Sequence, residues 1–156
     1  VYTNQSRDMF TAFGFGFHTA RPTAVWPQTG DQTIFTISGG RVFVTSLSGV
    51  FTVAASATAN NLSVNSVPTV GSAVVIASTL AAASFEIGAI VVVEGDGTAV
   101  VGTATGAGFA PALNALSFIL PTGNLTITCS GNNTTGSIKW DIFYFPLDEG
   151  AQIVAA

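Results

Sequence analysis

One histidine, one cysteine and eight carboxylates are the side chains with which this chain could run acid–base, thiol or metal chemistry. A nucleophilic site needs a base beside a hydroxyl or thiol, an orienting acid and oxyanion donors. His18 stands beside Thr19 at the end of a phenylalanine-glycine run, where it reads as the polar end of an aromatic ribbon. Glu86, Glu94, Asp96, Asp141, Asp148 and Glu149 could supply a hydrolytic carboxylate pair, but they fall at turns and on solvated strand faces. The stretch EGDG at 94–97 offers two carboxylates, whereas calcium takes about six to eight oxygens, so a hairpin turn is expected there. Cys129 is in phase with Leu125 and Ile127 in LTITCSG and reads as a small buried apolar residue. The glycines of GFG and TGAG lack the strand-then-helix setting of a phosphate loop. The sequence therefore predicts no enzyme, no cofactor and no metal site.

Residues 10–18, FTAFGFGFH, raise a different possibility. In an extended strand Phe13, Phe15 and Phe17 project to one side and Gly14 and Gly16 leave the other side bare, with Phe10 just before them. Burying a ring of this size is worth about 1.5–3 kcal/mol, so the ribbon must lie on something. It is either an edge strand of the chain's own sheet or an arm that crosses to a neighbouring subunit, where alternating rings and close backbone suit strand addition. The following TARPTAVWPQTGDQ, with Pro22, Trp26 and Pro27, suits an extended arm better than a central strand.

Charged residues make up only 8% of the 156, against 48% hydrophobic, where about a quarter charged is usual. A folded chain with so little charge is expected to be covered by partners over much of its surface. The four basic side chains, Arg7, Arg21, Arg41 and Lys139, form no cluster and the net charge is -4, which excludes nucleic acid as a partner. The apolar stretch 71–97 is broken by Ser78, Thr79, Ser84, Glu86 and Gly88 and falls short of a membrane span. The opening VYTNQSRDMF has no basic start followed by an apolar run, so no signal peptide is expected.

From Thr33 onward, β-branched and aromatic runs alternate with turn formers. TIFTISGGRVFVTSLSGVFTVAA reads as three runs separated by SGG and SLSG, and further strands are expected near LSVNSV, SAVVIAST, SFEIGAIVVVE, TAVVGTAT, LSFILPT, NLTITCSG and GSIKWDIFYFPL. STLAAASF is the one place for a short helical turn. In the last strand Ile138, Trp140, Ile142 and Tyr144 form an apolar face, while Lys139, Asp141, Phe143 and Phe145 turn from charged to aromatic and are expected to meet the arm or another subunit. About nine short strands predict an all-β fold, an antiparallel β-sandwich or jelly-roll-like barrel over residues 33–156, preceded by an extended arm over 1–32. Phe10, Phe13, Phe15, Phe17, Trp26, Phe143 and Phe145 are the candidate interface residues, toward a capsid or a neighbouring subunit.

Two stretches are similar to a group of small virion proteins of tailed bacteriophages. The first is ISGGRVFVTSLSGVFT, matching at Gly40, Val42, Val44, Thr45, Ser46, Leu47 and Gly49. The second runs from GNLTITCSG to the end, matching at Gly136, Ile138, Trp140, Tyr144, Pro146, Leu147, Gly150, Ala151, Val154 and Ala155. The resemblance covers residues 33–55 and 124–156, while the arm departs from the group. It implies a head decoration or cement protein on the capsid exterior, bound to the major capsid protein and to itself, as a homotrimer first and a dimer next. A tail- or fibre-associated β domain, or a carbohydrate-binding sandwich stacking sugars on Trp26, Trp140 or Tyr2, are the alternatives.

Overall fold

The computed structural model describes residues 16–25, 30–81, 83–94, 100–102, 104–106, 117–131 and 135–156. Among these there is no helix, and eleven strands form two antiparallel sheets packed face to face. The six-stranded sheet has the order β1 (Phe17–Val25), β10 (Ser137–Pro146), β3 (Val42–Val53), β6 (Ile90–Val93), β7 (Val100–Gly102), with β8 (Phe118–Leu120) also on β3. The five-stranded sheet runs β11 (Gln152–Ala155), β2 (Gly30–Ser38), β9 (Gly123–Cys129), β4 (Asn61–Pro68), β5 (Val74–Ala81). The sheets do not join, so the sandwich expectation holds and the barrel does not.

Alternation decides which side of each strand is buried. Ile138, Trp140 and Ile142 of β10 are fully buried and face Leu125 and Ile127 of β9, Phe35 of β2 and Leu62 of β4 in one core. Cys129 belongs to that core, and burial pushes its thiol up to about 12, so it is inert as a nucleophile at neutral pH.

Three local expectations are corrected. SLSG is not a turn: β3 runs unbroken through it, paired with β10 from Val53 back to Val42. The irregularity lies one step earlier, where Thr45 is the extra residue between Val44, opposite Tyr144, and Ser46, opposite Phe143. This bulge moves the inward phase from Val42 and Val44 to Leu47, Gly49 and Phe51. Pairing with a continuous partner strand outweighs the local turn preference of Ser and Gly there. STLAAASF is not helical in its described part, because β5 extends through Ala81 on β4. The arm boundary at residue 32 does not match a break in the fold: β2 begins at Gly30, and β1 lies along β10 as the edge strand of the six-stranded sheet. The turn expected at EGDG lies outside the described residues, which omit 95–99.

The corners that carry the chain between sheets are built from glycine. Gly39, at φ +75°, links β2 to β3, and a Cβ there would collide with the carbonyl of Gly150 in the corner between β10 and β11. The two corners therefore nest backbone to backbone. Tyr144 ties the same end together, since its buried hydroxyl accepts the Ile153 N–H at 3.1 Å and fixes β11 across from β10.

Candidate functional site

The outward side of β10 changes character along its length. At one end Asp141 Oδ1 lies 2.8 Å from His18 Nε2 and 3.7 Å from Lys139 Nζ. The His18 ring stacks on Phe143 with centroids 4.7 Å apart, because β1 pairs His18 with Phe143 and Ala20 with Asp141. Beyond Phe143 the face becomes apolar. Phe145 is directly opposite Phe43 on β3, and Phe43 is directly opposite Ile119 on β8. Directly opposed side chains on one face of a sheet touch, so these residues make a continuous row across three strands. Ile119 is 57% exposed and Leu147, just past the end of β10, 46%, while Phe43, Phe143 and Phe145 are partly exposed.

The apolar end is bordered by the Arg41–Asp148 pair. Arg41 donates to Asp148 from its backbone N–H at 2.7 Å, from Nε at 2.9 Å and from Nη2 at 2.8 Å. Such a fork locks the β2–β3 corner onto the β10–β11 corner. The side-chain and backbone hydrogen bonds from Arg41 hold the Asp148 carboxyl down at about 2. With a folded value below the unfolded one near about 3.9, the pair's contribution is complete above the unfolded value and fades as pH falls toward about 2. Asp148→Asn is expected to flatten the fall of Tm across that acid window, as read by thermal melts at stepped pH. Parallel curves for the two proteins would overturn this.

The outer side of the five-stranded sheet is different. Asp31, Thr128 and Asn65 share a hydrogen-bonded chain, and Thr36 donates to Asn124. That face suits water, apart from the β4–β5 hairpin, where Val67, Val70, Val74 and Val75 are exposed.

Of the residues singled out from sequence, Phe143 and Phe145 stand on the outer side of β10, Phe143 opposite His18 and Ser46 and Phe145 opposite Phe43. Phe17 does not join them. Its register partner is Tyr144, an inward position, so it sits at the sandwich edge, its ring 6.0 Å from that of Tyr144 and 45% exposed. Phe10, Phe13, Phe15 and Trp26 lie outside the described residues. Phe43, Ile119 and Leu147 were not singled out. Phe43 could have been found, because it is out of phase with the flanking Val42 and Val44; Ile119 required the pairing of β8 with β3.

A histidine on a carboxylate is part of a hydrolytic arrangement, but among the described residues no hydroxyl or thiol bonds to the His18 ring. No group of three or more metal-ligating side chains occurs among the described residues. What the face offers is contact area, an apolar row with a polar rim. Comparison with family models, curated proteins and solved structures gives no match for this chain.

Proposed function

We propose that this chain is a structural protein of a tailed-bacteriophage virion, a head decoration protein that binds the outside of the shell through the major capsid protein. The observation that supports an adhesive role is the row Ile119–Phe43–Phe145, with Leu147 beyond it, left partly open to solvent on a chain with only 8% charged residues. The assignment to phage heads rests on the resemblance carried by residues 33–55 and 124–156. The structure gives that pattern a physical meaning: Gly49 of the first stretch lies directly under Trp140 of the second, and Tyr144 bonds the strand that contains Val154 and Ala155.

The mechanism is non-covalent. Each copy contributes modest apolar and backbone contact, and repetition over symmetry-related positions turns that into strong reinforcement of the shell. A homotrimer at local threefold positions fits this best, with a dimer at twofold positions next. Trp140 is fully buried, which removes it as a sugar-stacking platform.

The test is to mix purified protein with heads that lack it, then measure co-sedimentation and the temperature at which heads rupture. Saturable binding with a raised rupture temperature is the expected result. Binding to isolated tails but not heads would move the protein to the tail, and binding to neither would overturn the virion reading.

A further inference from the structure

The two ends of the sandwich are unlike. One end collects the β2–β3 corner at Gly39–Arg41, the β8–β9 turn around Thr122, the β10–β11 corner from Leu147 to Ala151 and the tip of the β4–β5 hairpin at 69–73. Hydrogen bonds tie these connections to one another. Thr69 donates to the Thr122 carbonyl from its backbone N–H at 2.9 Å and from its hydroxyl at 3.0 Å. The Thr122 hydroxyl donates to the Gly40 carbonyl at 3.4 Å, and the Leu147 N–H to the Arg41 carbonyl at 2.9 Å. Together with the Arg41–Asp148 fork these bonds make the end one surface rather than separate loops.

Exposed apolar side chains collect on that surface. Val70, at the hairpin tip, is 90% exposed, the most open large apolar residue among those described. Ile119, which precedes the Thr122 turn, and Leu147 are exposed at the same end, so the row Phe145–Phe43–Ile119 continues around it toward Val70. At the opposite end Val25 and Val53 are exposed but flank Ser137, which separates them. Charge is nearly balanced at the Val70 end: Arg41 and Asp148 neutralise each other, and Glu149 adds one exposed carboxylate. No charged side chain occurs from 42 to 85, the stretch that contains the hairpin.

Size selects the occupant. Layers about 10 Å apart and strands about 4.8 Å apart make an end roughly 25 Å by 20 Å, which buries on the order of 1,000 Å2 in total, the lower limit for specific association. Such a contact is too small for a stable free dimer and becomes effective when many copies dock side by side on one lattice.

We propose that this end, with Val70 as its anchor, is the docking surface of the chain, and that its occupant is an uncharged apolar patch of the capsid protein repeated over the shell. The inference rests on the virion reading and adds an orientation to it: the sandwich stands on its Val70 end and points Val25 and Val53 away from the shell.

The test uses the full chain and heads that lack it. Val70→Asp leaves the core untouched and is expected to weaken co-sedimentation with heads by at least about tenfold, while Val53→Asp, which adds the same charge at the other end, binds as wild type does. Wild-type binding is expected to hold as sodium chloride is raised. Cys129 is buried, its thiol pushed up to about 12, so Val70→Cys and Val53→Cys chains can each be labelled with a solvatochromic dye at the new thiol. Head binding should shift the emission to the blue at position 70 and leave it unchanged at 53. Undiminished binding by Val70→Asp, an unshifted dye at 70, or loss of binding in high salt would overturn the inference while leaving the virion reading standing. Failure of the wild type to bind heads would overturn both. A wild-type dimer in sedimentation equilibrium that Val70→Asp dissolves would overturn the choice of occupant in favour of a second copy of this chain.

Discussion

Trp140→Ala is expected to cost about 3–5 kcal/mol of stability and to lower Tm by roughly 6–20 °C. The indole is fully buried at the middle of β10 and belongs to the core shared by both sheets. Its seat depends on one glycine. Gly49 is its register partner on β3, and a Cβ added there would lie 3.0 Å from Trp140 Cε3 and 2.8 Å from Ile138 Cδ1. The φ of Gly49 is ordinary, so the requirement is space rather than backbone freedom. Gly49→Val alone is therefore expected to cost about 1–3 kcal/mol by overpacking. The double variant should be less damaging than the sum, because the valine enters volume that the indole has vacated, with a coupling of about 0.5–3 kcal/mol. Urea denaturation of the four proteins measures it. Strict additivity would mean that the two residues do not share a packing unit.

The second large effect belongs to the outer face. Phe145→Ser combined with Ile119→Ser should leave the fold intact, since both side chains point away from the core and are partly or largely exposed. On the proposed function the same pair should weaken head binding by about two or three orders of magnitude, as loss of two anchors worth roughly 2 kcal/mol each would. Val75→Ser, on the outer side of the five-stranded sheet, is the matched control and should bind normally. Circular dichroism and melting check the fold while co-sedimentation with heads reads the binding. Normal binding by the double variant would remove this face from the interface, and equal loss in the control would place the contact on both faces.

The sequence was most informative where alternation was strict. In GSIKWDIFYFPL every second residue is large and apolar, so Ile138, Trp140, Ile142 and Tyr144 could be assigned to the core before any pairing was known, and Cys129 with them. It was least informative where a long-range partner overrides a local preference. Ser48 and Gly49 look like a turn in isolation, but β10 runs alongside them and the turn does not form. Phe17 illustrates the same limit. Its strand character was legible, yet whether it shared a face with Phe143 depended on a register set by contact across more than a hundred residues of sequence.

By itself, then, the sequence determined the class of the molecule: short β runs with frequent turn formers, little charge, and a last strand with one buried and one changing face. Those properties follow from side-chain chemistry and a two-residue repeat, both local. Only the tertiary structure decided that the sheets stay open as a sandwich, that Ile119 and Phe43 extend the Phe145 row, and that Arg21 is enclosed opposite Trp140. The physical reason is that register and sheet order are set by which distant strands satisfy one another's backbone groups, and a position on a face acquires meaning only once its neighbour across the ladder is known.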